Sequence, residues 1–158
     1  MSITTCLWFQ GDVEAALERY TGLFPDSEIL SLQRMGGMED EVILAEWRML
    51  GTHFRAISQR SDFRFNDSMS LSVSCADQAE VDRYWDGLLA GGGEESMCGW
   101  LRDPYGLSWQ IVPDRLGELL SDPDPRRAGA ATQAMLGQRR IVIAELEEAA
   151  DRAVSVPA

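Results

Sequence analysis

An internal repeat constrains this chain more than any other feature. Sliding the sequence by 65 residues sets Asp12 on Asp77, Ala16 on Val81, Tyr20 on Trp85, Gly22 on Gly87 and Leu23 on Leu88. Each match has a structural job: helix cap, core face, aromatic anchor, helix stop and buried stop contact. The elements around them recur in the same order. Ile3 to Phe9 is β-branched and aromatic and reads as a strand closed by Gln10-Gly11-Asp12. Val13, Ala16, Leu17, Tyr20 and Leu23 then recur at the helical period, with Asp12 as the expected cap and Gly22 and Pro25 closing the helix. Three strand-like runs follow, Glu28 to Gln33, Glu41 to Met49 and Thr52 to Ser58, with turns at Gly36-Gly37 and Leu50-Gly51-Thr52. The second half predicts a strand over Met69 to Cys75, a helix from Asp77 to about Leu89 broken by Gly91-Gly92-Gly93, and short strands at Glu95 to Cys98, Gly99 to Arg102 and Leu107 to Val112. The expectation is an α+β fold of two βαβββ modules, about 1–65 and 66–113.

After Pro113 the pattern turns helical. Asp114 to Leu120, Ala128 to Leu136 and Ile141 to Ala150 read as helices, with Pro125 suited to a first-turn position after Asp122-Pro123-Asp124. This extension, 114–158, carries no catalytic-looking cluster and is expected to pack on the core or on a partner subunit, its last residues fraying.

Charge narrows the partners. The chain of 158 residues carries 26 acidic and 14 basic side chains, a formal charge of -12, a field that repels phosphate backbones and anionic lipid heads. Nucleic acid and membrane surfaces are therefore not expected partners, and no apolar run is long enough to span a bilayer. All basic residues are arginine. The first twenty residues hold Asp12, Glu14 and Glu18 without a basic start, so no secretory signal is expected there. Three scattered cysteines, Cys6, Cys75 and Cys98, fit reduced thiols and a cytoplasmic protein better than a disulfide framework.

Two segments carry a family resemblance. "ITTCLWFQGDVEAALERYTGLFPDSEIL" and "EVDRYWDGLLAGGGEESMCGWLRDPYGLSWQIVPDRLGELLSDPDP", above all "CGWLRDPYGLSWQIVP", resemble the PhnB-like branch of the glyoxalase, or vicinal oxygen chelate, superfamily. Relatives in this branch often carry the label 3-demethylubiquinone-9 3-methyltransferase. The resemblance implies strands curling into a cup, completed by a homodimer. It does not bring methyl transfer with it. That chemistry calls for a glycine-rich loop after the first strand of an open sheet, whereas Gly91-Gly92-Gly93 follows a helix and reads as a flexible connector.

Metal-dependent members of the superfamily hold a divalent ion with His, Glu or Gln side chains from four strands. Those slots fall here near Thr5, Ser58, Ser70 and Gln110, a set too weak for a tight ion, so neither metal nor other cofactor is expected. The one histidine, His53, sits by a turn and reads as a surface or capping residue. The resemblance also implies that such a cup can work without metal, as in bleomycin-binding relatives. An aromatic, mildly polar concavity then remains, with Trp8, Trp47, Gln59, Ser70, Ser72, Cys98, Trp100 and Gln110 as pocket candidates. Strand alternation sets Trp109 opposite Gln110, so Trp109 is structural if Gln110 lines the cup. Glu46 has the chemistry of a general base if it faces inward, its plainer role being a solvated edge residue, and Asp103 is a turn-former. The expected function is binding of a small molecule by a homodimer, with no complete catalytic constellation visible. A metal-dependent lyase, isomerase or dioxygenase and a dimeric protein-interaction module are the alternatives.

Overall fold

The computed structural model describes residues 1–36 and 42–155. Gly37 of the expected Gly36-Gly37 turn, Glu41 at the head of the next strand and the three last residues lie outside that set. The chain divides into two compact units, Met1–Phe65 and Asn66–Ala158.

In the first unit, strand β1 (Thr5–Phe9) leads into helix α1 (Val13–Leu23), followed by β2 (Glu28–Met35), β3 (Val42–Met49) and β4 (Thr52–Ser58). The sheet order is β1-β4-β3-β2, with β1 parallel to β4 and the other pairs antiparallel. Leu50 and Gly51, at φ of 49° and 75°, make the two-residue turn between β3 and β4, the left-handed pair whose twist suits a hairpin. Alternation decides the faces. Leu7, Phe9, Ala45, Trp47, Phe54, Ala56 and Ser58 are buried on one side, the side that also takes Val13, Ala16, Leu17 and Tyr20 of α1. Trp47 and Phe54 stack at 5.1 Å across β3 and β4, and each such fully buried side chain contributes about 1.5–3 kcal/mol. The other side of the sheet is open.

The second unit repeats the plan. It runs β5 (Leu71–Cys75), α2 (Gln78–Leu89), β6 (Glu94–Glu95), β7 (Trp100–Arg102) and β8 (Ser108–Pro113), in the order β5-β8-β7-β6 with β5 parallel to β8. Leu101, Trp109, Ile111, Val73 and Cys75 are buried with Val81, Tyr84, Trp85 and Leu88 of α2. The two caps differ. Asp77 accepts from the Glu80 backbone N–H at 2.9 Å, while Glu80 accepts from the Ala76 N–H at 2.8 Å. Asp12 stands at the start of α1 with φ 54° and makes no side-chain cap, a correction to its expected role.

Two further expectations change. The strand expected over Glu95 to Cys98 ends at Glu95, and Cys98 turns into the left-handed region at φ 60°. The Cys98 and Gly99 N–H groups donate instead to the Gln138 and Arg139 carbonyls, each at 2.7 Å. Gly91-Gly92-Gly93 is a tight helix stop rather than a loose connector. Gly92 and Gly93 both donate to the Leu89 carbonyl, and a Cβ on Gly93 would stand 2.8 Å from the Arg102 carbonyl oxygen.

The extension forms α3 (Asp114–Leu120), α4 (Pro125–Leu136) and α5 (Ile143–Ser155). Asp124 caps α4 by accepting from the Arg126 N–H at 2.9 Å, with Pro125 in the first turn. Leu116, Leu119, Ala131, Ile141, Leu146 and Ala150 make its own core.

Candidate functional site

Strand register, read across each open face, builds two comparable floors. In the first unit Ser31, Glu46, Arg55 and Cys6 are successive cross-strand partners, one from each of β2, β3, β4 and β1. The next row on that face is Gln33, Leu44, Ile57 and Trp8. All of these but Trp8 border a cavity of about 340 Å³. The Arg55 Nε lies 3.0 Å from Glu46 Oε1, and the His53 Nε2 lies 3.3 Å from Glu46 Oε2. One oxygen of Glu46 is thus paired with the Arg55 guanidinium, while the His53 Nε2 near the other makes no hydrogen bond.

In the second unit the corresponding row is Ser72, Gln110 and Trp100. Gln110 donates its amide N–H to Ser70 Oγ at 2.8 Å, which leaves the amide oxygen as an acceptor with no partner among the described residues. A cavity of about 440 Å³ adjoins, bordered by Asp67, Ser96, Met97, Cys98, Trp100 and Arg102. Arg102 donates to both Asp67 oxygens at 3.0 and 3.1 Å, and Ser108 Oγ donates to the same carboxylate at 2.7 Å. The Ser108 hydroxyl and then Arg102 hold Asp67 below the usual carboxylate range, and Asp67 in turn pushes Arg102 up. Beneath this floor the buried Asp103 accepts from the Tyr105 and Leu107 N–H groups and from Trp109 Nε1 at 2.8 Å, so the turn-former also anchors the strand that carries Gln110.

Five candidates from the sequence, Ser70, Ser72, Cys98, Trp100 and Gln110, therefore gather on one side of the second unit. The other three belong to the first unit. Trp8 lies on the open face of the first unit, with its indole N–H donated to the Gln59 carbonyl at 3.1 Å and its ring edge-on to Phe63. Gln59 itself lies just past the end of β4. Trp47 is in the core, turned toward α1. Arg102 shares a face with Trp100 by strand alternation alone, whereas Arg55, Ser31 and Gln33 were missed because only register shows which polar residues of different strands share a face, and Asp67 because it lies in the turn before β5.

The donor set does not fit a divalent ion. Thr5 and Ser58 fall on the helix side of their sheet, and the paired positions that face outward are Cys6 opposite Arg55 and Ser72 opposite Gln110. A guanidinium has no lone pair to give a cation. Among the described residues, no group of three His, Cys, Asp or Glu side chains is placed to hold a metal. Of the thiols, Cys75 is buried and pushed up to about 12, first by desolvation and then by nearby carboxylates, while Cys6 is exposed.

No helix of the described residues is long and apolar enough to cross a membrane. No curated protein matches the chain. Among solved structures, a PhnB protein from Bacillus cereus is 34% identical, covering 72% of this chain and 99% of its own at a TM-score of 0.65. Protein PA1353 from Pseudomonas aeruginosa (19% identity, 72% and 100% covered, TM-score 0.55) and the fosfomycin resistance protein FosX from Mesorhizobium loti (11% identity, 71% and 90% covered, TM-score 0.53) share the fold. The family described as 3-demethylubiquinone-9 3-methyltransferase matches residues 1–112, which span both βαβββ modules and stop where the helical extension begins. The chain belongs to that PhnB-like family.

Proposed function

We propose that this protein binds a small organic molecule on the open faces of its sheets and grips it with side chains rather than through a resident metal. The observation that carries the reading is the row Ser72, Gln110 and Trp100 beside the 440 Å³ cavity. An indole face, an unpartnered amide oxygen and hydroxyl groups suit a flat or amphipathic ligand. Methyl transfer finds no support in Gly91-Gly92-Gly93, which is a helix stop against the Arg102 backbone. The same reading takes the protein as a cytoplasmic homodimer; light scattering giving a mass near 17.6 kDa at micromolar concentration would remove the dimer.

The test pairs protein-observed NMR with metal analysis. A panel of neutral, cationic and anionic fragments is expected to give saturable shifts at amides of the open faces. Trp100→Ala should weaken fragments bound beside Gln110 about tenfold, the order of one lost stacking contact. A stoichiometric divalent ion retained through dialysis, or no saturable binding on either face, overturns the reading.

A further inference from the structure

We propose that the open face of the first unit is a site for a small organic carboxylate, gripped by Arg55 and lying along Leu44 and Ile57. The inference rests on the small-molecule reading above and adds the ligand's chemical class and its anchor.

Glu46 takes the Nε of Arg55 with one oxygen and faces His53 with the other. Arg48 on this face pairs with Glu28, the one other ion pair there among the described residues. The terminal Nη groups of Arg55 have no partner among the described residues. A guanidinium held at Nε and free at both Nη atoms presents a flat two-pronged donor, the geometry that takes a carboxylate. The Nε contact to Glu46 gives that fork a preferred orientation, although the pair is solvent-exposed and weak by itself. A cationic ligand finds no unengaged carboxylate in the same row.

The second row supplies the rest of the ligand's chemistry. Leu44 and Ile57 are neighbours of Glu46 and Arg55 along their own strands, two residues on, and directly opposite each other. Leu44 is an exposed large hydrophobic. Gln33 and Trp8 flank the pair. A ligand with its charge on Arg55 lays its hydrocarbon along these two side chains, and 340 Å³ is the lower end of ordinary ligand cavities. The overall charge of -12 does not veto an anion here. Ten acidic and six basic residues fall in positions 1–65, a smaller share of the excess, and charges beyond about 8 Å are screened at physiological salt.

Register strengthens the case. Cys6 opposite Arg55 on β1 and β4 matches Ser72 opposite Gln110 on β5 and β8, each pair on the open side of its own sheet. The position that holds a neutral amide in one repeat holds a cation in the other.

Hexanoate and hexanamide, equal in size and different in charge, are the probes, titrated into the full-length protein by NMR. Hexanoate is expected to shift amides around Glu46, Arg55 and Ile57 saturably and to bind at least tenfold tighter than hexanamide. Arg55→Gln should remove that preference and leave hexanamide unchanged. Arg60→Gln, which deletes the same charge from an exposed site past β4, should alter hexanoate affinity less than twofold. Equal binding of the two probes, equal effects of the two substitutions, or hexanoate shifts confined to Ser72 and Gln110 overturn the proposal and leave small-molecule binding standing. Failure of every fragment on both faces removes both. Should Arg55→Gln lose the dispersed spectrum of a folded protein, the comparison of the two probes on the native chain decides.

Discussion

Gly99 shows how one residue joins the sheet to the tail. It lies at φ +82°, and a Cβ there would stand 2.8 Å from the Ile111 carbonyl oxygen and 3.2 Å from Ile141 Cγ1. Gly99→Ala is expected to lower stability by about 2–4 kcal/mol, the left-handed cost plus a backbone clash that cannot relax. Gly129→Ala, inside α4 with open space around it, should gain about 0.5–1 kcal/mol. Urea midpoints at constant m-value check both, and a shift of the same sign in the two variants contradicts the geometry. At this scale the sequence was readable where a residue acts on its own neighbours, as Asp103 and Asp77 do. It misled at Asp12, where an identical residue type meets a left-handed backbone and cannot reach the helix N–H groups.

Among elements, the segment between α4 and α5 works as a strap. Gln138 and Arg139 accept from the Cys98 and Gly99 N–H groups, and the Gln78 side chain of α2 donates to the Ile141 carbonyl at 3.0 Å and accepts from the Ile143 N–H at 2.9 Å. Arg140 reaches Asp82 and Asp86 on the same helix, while Arg139 pairs with Glu95. Gln78→Ala leaves two half-buried backbone groups without partners and should cost about 1–2 kcal/mol. Trypsin should then cut after Arg139 or Arg140 several-fold faster than in the native chain, and unchanged cleavage would mean that the arginines alone hold the strap. The helices of the tail could be read from their periodicity. The strap could not, because a side chain bracketing backbone groups 63 and 65 residues away leaves no pattern in the chain.

For the whole molecule, pH response follows from the paired carboxylates of the second unit. Asp67 is lowered by Ser108 and Arg102, Asp82 by Gln78 and Arg140, Glu95 by Trp85 and Arg139, Asp122 by the Asp124 N–H and Arg127, and Asp124 to about 2 by Arg126. Each binds its proton more weakly folded than unfolded. The stability they contribute is present above the ordinary range of 3.8–4.5 and is lost as pH falls through the lower folded values. Urea midpoints should therefore hold steady from pH 7 to about 5 and decline steadily toward pH 2.5, with a flat profile contradicting the pairing. The two-module plan was legible because duplication doubles every signal. The floor was not, for a reason of one residue: a slide of 65 aligns the helices, but Leu7 and Phe9 correspond to Val73 and Cys75, a slide of 66. A single step along a strand exchanges its faces, and Thr5 and Ser58 fall on the side of their sheet that also carries Leu7 and Phe9.

The parallel closure of each sheet also fixes the order in which a growing chain can assemble. Thr5 must meet Phe54, so β1 leaves the ribosome well before its partner exists. At roughly 5–20 residues per second the wait lasts about 2–10 s. During that interval Leu7, Trp8 and Phe9 stand as a naked apolar edge beside a nascent α1. The meander of β2, β3 and β4 closes by short hairpin turns in microseconds once made, so the oldest strand is the last to be seated.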